Sequence, residues 1–218
     1  MLVSSLLPDF MLYAPGCPEP TAIRALMESA RRFCRDSYII QRTLDPIQIT
    51  ADTFILELND EVDRSVEVIA VRSVTVDGQA VEITPEDFLR SRRAHLDNPP
   101  VGKPRSAWLE GENTLHLFPT SDDDYEVFVK VCVSPTAEAK VIDDELGNRW
   151  KDGVIGGAIE RVCVVPGQLF SSATMATYGQ RMYAESVGKA RIEANRSFSR
   201  TERVALRPAA FGRKTYSF

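Results

Sequence analysis

Long apolar runs are missing from this chain of 218 residues. No uncharged apolar stretch approaches the ~20 residues that span a bilayer, which excludes a transmembrane helix. Met1 to Leu7 is apolar, but no basic residue precedes it and Asp9 follows at once. It makes a poor secretory signal and is expected to stay on the mature chain. Histidine is scarce, with only His95 and His116, and this counts against a His-dependent hydrolase. The four cysteines, Cys17, Cys34, Cys132 and Cys163, form no C-x-x-C and have no histidine pair nearby. Neither a zinc site nor a redox motif is suggested, and a reducing compartment fits best. No segment is dominated by one residue type, so collagen, coiled coil and wholesale disorder are excluded. G-x-G-x-x-G, G-x-x-x-x-G-K-[ST], H-E-x-x-H and G-x-S-x-G do not occur. Gly153-x-x-Gly156-Gly157 falls within a helical pattern with no Lys-[ST] after it, and reads as packing.

What is present is enough apolar content, 44%, for a sizeable core in one large domain or two small ones. The charge is uneven. Arg181 to Phe218 holds nine basic and three acidic residues, +6, which leaves 17 basic and 28 acidic, −11, in residues 1–180. An acidic body ends in a basic arm. Such a body is not drawn to DNA through its general surface, whereas the arm could bind nucleic acid or an acidic protein surface, or be a solvated tail. Asp122-Asp123-Asp124 and Asp143-Asp144-Glu145 could hold Mg²⁺ or Ca²⁺, but neither has EF-hand spacing. A polar turn and a helix N-terminus explain them with less.

After a start punctuated by Pro8, Pro15, Pro18 and Pro20, Thr21 to Asp36 places Ile23, Leu26, Met27, Ala30, Phe33 and Cys34 at helical spacing. From Ile47 the period changes to two. Strands are expected over Thr53 to Leu58 and Ser65 to Val76. Asp77-Gly78 signals a hairpin to Val81 and Ile83, and Thr84-Pro85 starts a short helix through about Arg90. Residues 91–106 have loop composition. A second hairpin joins Ala107 to Glu110 with Thr114 to Phe118, and Tyr125 to Val133 alternates cleanly as a strand. Asp152 to Val165 reads as a buried helix that Pro166-Gly167 ends, and Ser171 to Asn195 as a long helix rich in small residues, suited to packing within or between subunits. The expected fold class is α+β. A helical bundle, residues 1–45 and 135–195 with two long C-terminal helices, carries an inserted antiparallel β-domain, residues 46–134, and an extended C-terminal arm, residues 196–218.

The run Arg149-Trp150-Lys151-Asp152-Gly153-Val154-Ile155-Gly156-Gly157-Ala158, then Pro166-Gly167-Gln168-Leu169-Phe170, then a helix with Tyr178 and Ala184 to Ala190, resembles the C-terminal half of head-to-tail connector (adaptor) proteins of tailed bacteriophages. The opening helix, Ile23 to Cys34, and Trp108 with Leu115-His116-Leu117-Phe118-Pro119 are similar to the same family's first helix and a strand ending in proline. Phe170 stands where members often have tryptophan, which leaves the subfamily open, including the tail tubular protein A type.

The resemblance implies a structural virion protein, not an enzyme, which assembles in the host cytoplasm. It would dock below the portal as a ring, usually of twelve copies, meet tail or nozzle proteins, and extend the channel through which DNA passes without specific binding. It implies no cofactor, no metal and no membrane partner. The acidic body agrees, because contacts to phosphate are mainly electrostatic and would retard DNA. The candidate interface with the portal or a neighbouring subunit is the arm. Arg196, Arg200, Arg203, Arg207, Arg213 and Lys214 would pair with acidic groups while Phe198, Val204, Leu206, Phe211, Tyr216 and Phe218 fill pockets. Two rivals remain at this point, a nucleic-acid-binding module using the arm and a small metal-dependent enzyme using Asp122 to Asp124.

Overall fold

A computed structural model describes residues 1–58, 65–84, 100–111 and 113–199. A 3-10 turn, Val3–Leu6, leads into α1, Leu7–Met11, and then α2, Glu19–Ser37. Pro20 stands in the first turn of α2, where no N–H is needed, and Tyr38 ends the helix in the left-handed region at φ 53. The face bearing Ala22, Leu26, Ala30, Phe33 and Cys34 is wholly buried, as the helical spacing of those residues requires.

Eight strands follow: β1 Gln41–Thr43, β2 Ile47–Ile49, β3 Ile55–Glu57, β4 Val66–Val76, β5 Gln79–Ile83, β6 Ser106–Glu110, β7 Thr114–Phe118 and β8 Tyr125–Pro135. They pair in the order β1-β8-β4-β5-β6-β7-β3, with β2 beside β8 below β1, in a sheet curled into half a barrel. Asp77 and Gly78, at φ 48 and 72, close the two-residue β4–β5 turn that the sequence signals, with Val76 opposite Gln79. β4 slips register against β8 twice, between Val68 and Ala70 and between Val71 and Ser73. Each extra residue is a bulge that sharpens the twist, which accounts for the curl.

α3, Asp144–Asn148, α4, Lys151–Cys163, and α5, Ala173–Ser199, complete the chain's described elements. The two last helices meet backbone to backbone. A Cβ built on Gly156 would lie 2.8 Å from the Gly179 carbonyl oxygen, and one on Gly179 would lie 2.6 Å from that of Gly156. Gly153 and Gly157 face Phe33 and Ser29 of α2, and Ser29 Oγ donates to the Val154 carbonyl at 2.6 Å. Arg31 and Arg35 of α2 both reach Glu67 of β4, at 3.3 and 2.8 Å, tying the helices to the sheet. One cluster of buried apolar residues runs from Val3 through β8 to Ala194.

The expected bundle with two long C-terminal helices is corrected by this architecture. α4 has 13 residues against 27 in α5, so a single long helix stands beside four shorter ones and a curled sheet. The apolar pattern runs on through Val164 and Val165, but the chain leaves the helix ahead of Pro166, which disfavours helical backbone in the residue before it. The sheet is also not wholly antiparallel, since β5 and β6 run parallel, with Ile83 opposite Ala107. No local period reports the partner of a strand, so this pair is invisible to a reading by segments. The last helix runs from Ala173 and continues through Ser199, four residues beyond the end expected for it at Asn195. The short helix expected through Arg90 lies outside the described residues after Thr84, as does the loop before Pro100.

Candidate assembly interface

The most exposed apolar side chains gather at the end of the molecule where α1 and α4 stop and α5 begins. The turn after α4 is fixed by Val165 N–H donating to the Val162 carbonyl and by Gly167 at φ 76, and Ser172 caps α5, its Oγ accepting from Met175 N–H at 3.3 Å. Phe170 folds inward from this turn, while Val164, Val165 and Leu169 point out, Leu169 at 95% exposure. Leu12, 78% exposed, lies alongside, since Gly16 approaches Leu169 and the neighbouring Tyr13 stacks on Tyr178 with ring centroids 5.9 Å apart. Burial first, and Tyr178 second, push the Tyr13 hydroxyl above its ordinary pKa. A trough of about 420 Å³ opens beside these residues, floored by Ala25, Val162 and Phe170 and rimmed by Arg24, Glu28 and Arg161.

Another part of the surface, at the turns of the sheet, carries charge instead. The β2–β3, β4–β5 and β7–β8 turns meet, with Asp52 N–H donating to Ser121 O at 2.8 Å and Asp77 N–H to Glu126 O at 2.9 Å. Asp52, Asp77, Asp122, Asp123 and Asp124 are all exposed there. Asp122 accepts from the Tyr125 hydroxyl at 2.7 Å, and that hydrogen bond, ahead of desolvation and the neighbouring carboxylates, pushes the phenol up to about 12. The cluster is thus a set of turns around a tyrosine, with Lys103 Nζ 3.5 Å from Asp77. Asp143-Asp144-Glu145 opens α3: Asp143 Oδ1 accepts from Glu145 N–H at 2.9 Å, and Asp144 meets the Met1 amine. No group of three or more His, Cys, Asp or Glu that could hold a metal occurs among the described residues.

His116 lies on β7, stacked on Trp108 with centroids 4.8 Å apart, and Glu110 Oε2 is 2.5 Å from its Nε2. His95 lies outside the described residues. All four cysteines are free and buried. Of the arm residues, Arg196 is exposed in the last turn of α5, and of Phe198 only the helical backbone is described. Arg200, Arg203, Val204, Leu206, Arg207, Phe211, Arg213, Lys214, Tyr216 and Phe218 lie outside the described residues. The sequence reading missed Leu12, Val164, Val165 and Leu169. Their signal is present as bulky apolar residues beside Pro166-Gly167, but by spacing Val165 falls into the buried stripe of a helix that stops at Cys163.

The structure thus presents an apolar cap of loops at one end of α5 and an acidic set of turns on another part of the surface, and an exposed apolar patch of that kind marks an interaction site. The chain belongs to the SU10 adaptor protein family, whose model matches residues 1–208. It is a structural adaptor of the head–tail region of a bacteriophage and a virion component, associated with other head and tail proteins. The match assigns no tail tubular protein A subtype. No curated protein matches the chain. Among the described residues no helix is long and apolar enough to cross a membrane.

Proposed function

We propose that this adaptor assembles as a ring below the portal, in twelve copies, and extends the DNA channel towards the tail. The observation that carries the reading is the family match over residues 1–208, which takes in the helices, the sheet and part of the arm. Exposed apolar loops at the α4–α5 turn support it, because such surface is expensive in water unless a partner covers it. So does the acidic set of turns, which repels phosphate and would let DNA slide past. In this reading the helices of residues 1–45 and 135–195 form the packed base, residues 46–134 project from it, and the arm meets the portal or a neighbouring copy through Arg196, Phe198, Arg200, Arg203, Leu206, Arg207, Phe211, Arg213, Lys214, Tyr216 and Phe218. Tail or nozzle proteins then add to the free side of the ring, and DNA passes without a specific site.

Negative-stain imaging of the purified chain, alone and mixed with the portal protein of the same phage, tests the proposal. Rings seated on the portal are expected. No assembly and no co-elution in either condition overturns it.

A further inference from the structure

The apolar cap at the α4–α5 turn and the last described residues of the chain stand at opposite ends of the same helix. Tyr178 lies near the start of α5, beside Tyr13, whereas Ala194 and Asn195 near its other end meet Gln41 and Arg72. The 27 residues of α5 put about 40 Å between the two ends at 1.5 Å per residue. Beyond Ser199 the chain has 19 more residues, which reach up to about 60 Å when extended. They include Val204, Leu206, Phe211, Tyr216 and Phe218, and five bases against the single acid Glu202.

We infer that the apolar cap formed by Leu12, Val165, Leu169 and Tyr178, with the trough beside it, is the docking site for residues 200–218 of a second copy of this chain. Two complementary patches at opposite ends of one molecule make a heterologous contact, the kind that closes a ring when repeated. The inference rests on the ring reading and names the contact that links its members. The occupant follows from the chemistry of the cap. Around it Asp9, Glu28 and Asp152 are balanced by Arg24, Lys151 and Arg161, so no charge of one sign selects a polyanion or a basic surface. What is left to satisfy is exposed aliphatic and aromatic surface, and the arm supplies side chains of that kind with enough reach. One arm alone is a small contact, and a closed set of linked arms holds firmly.

The test uses the full chain on its portal. Leu169→Cys introduces an exposed thiol in a protein whose own four are buried, and it is labelled with a benzophenone maleimide. The assembly is made from equal parts of ¹⁴N and ¹⁵N protein, irradiated and digested. The expected product joins the label to peptides from residues 200–218 of the opposite isotope. In parallel, Leu169→Glu is expected to lower the fraction assembled about tenfold with an unchanged far-ultraviolet spectrum and melting temperature, as for loss of an exposed anchor of ~1.4 kcal/mol. Links to portal peptides, to the same isotope only or to other segments overturn the inference while the ring stands. Failure to assemble before labelling overturns the ring reading and this inference together.

Discussion

At the level of single residues, the crossing of α4 and α5 depends on the absence of side chains. A methyl group on Gly156 would press against the Gly179 carbonyl oxygen and the Tyr183 nitrogen, at 2.8 and 2.9 Å, both backbone atoms that cannot rotate aside. Gly156→Ala is therefore expected to cost about 1–3 kcal/mol, the range for overpacking a close-packed core. Gly188 sits in the same long helix with open space where its Cβ would be. Gly188→Ala is expected to raise stability by roughly 0.5–1 kcal/mol through helix propensity and a less flexible unfolded chain. Urea midpoints of the two variants distinguish these outcomes, and equal effects would refute the packing argument. A second residue-level expectation concerns alkaline pH. Burial first, and the charges of Asp143 and Glu67 next, push the Cys34 thiol up to about 12 from its ordinary 9.0. Burial and the hydrogen bond to Asp36 push the Tyr183 hydroxyl up from 10.0. Both groups keep their protons in the folded chain and release them more easily when it unfolds. Their contribution is complete below about pH 9 and is lost as pH rises from there towards 12. Urea midpoints should fall across that window, and the double variant Cys34→Ala, Tyr183→Phe should show a flatter profile.

At the level of elements, the β4–β5 hairpin rests on two residues in the left-handed region. Gly78→Ala is expected to destabilise by about 1 kcal/mol because an L side chain resists φ 72, while Asp77→Asn should be tolerated, since asparagine accepts that conformation readily. Thermal melts of both variants check this, and equal losses would mean that the turn is not the cause. Local periodicity exposed this hairpin, α2 and β8, because each has one face against the core: Val127, Val129, Val131 and Val133 are all buried, as their alternation requires. It did not expose the end of α4. Val164 and Val165 continue the apolar pattern of a helix although the backbone has already turned towards Pro166, and period alone does not distinguish a buried valine from one held in water.

At the level of the whole molecule, removal of residues 200–218 is expected to abolish assembly on the portal and leave the core unchanged. Among the described side chains of α5 the last buried one is Ala194, and the anchoring contacts of Gln41 and Arg72 with Ala194 and Asn195 remain in the shortened chain. Its melting temperature should match that of the full chain, while co-sedimentation with the portal should disappear. Retained co-sedimentation would mean that the arm is dispensable. The sequence by itself determined the extent of α2, both hairpins, the central β8 strand, the acidic body and the basic end, because these follow from local periods and from counting charge. It also carried enough ordered packing residues to resemble the adaptor family. Tertiary structure alone decided that β5 pairs with β6 in parallel, that two bulges in β4 curl the sheet, and that Tyr13 and Gly16 meet Tyr178 and Leu169 at one end of α5. Those features depend on which distant segments meet, and burial of a residue is fixed by its neighbours in space rather than by its neighbours along the chain.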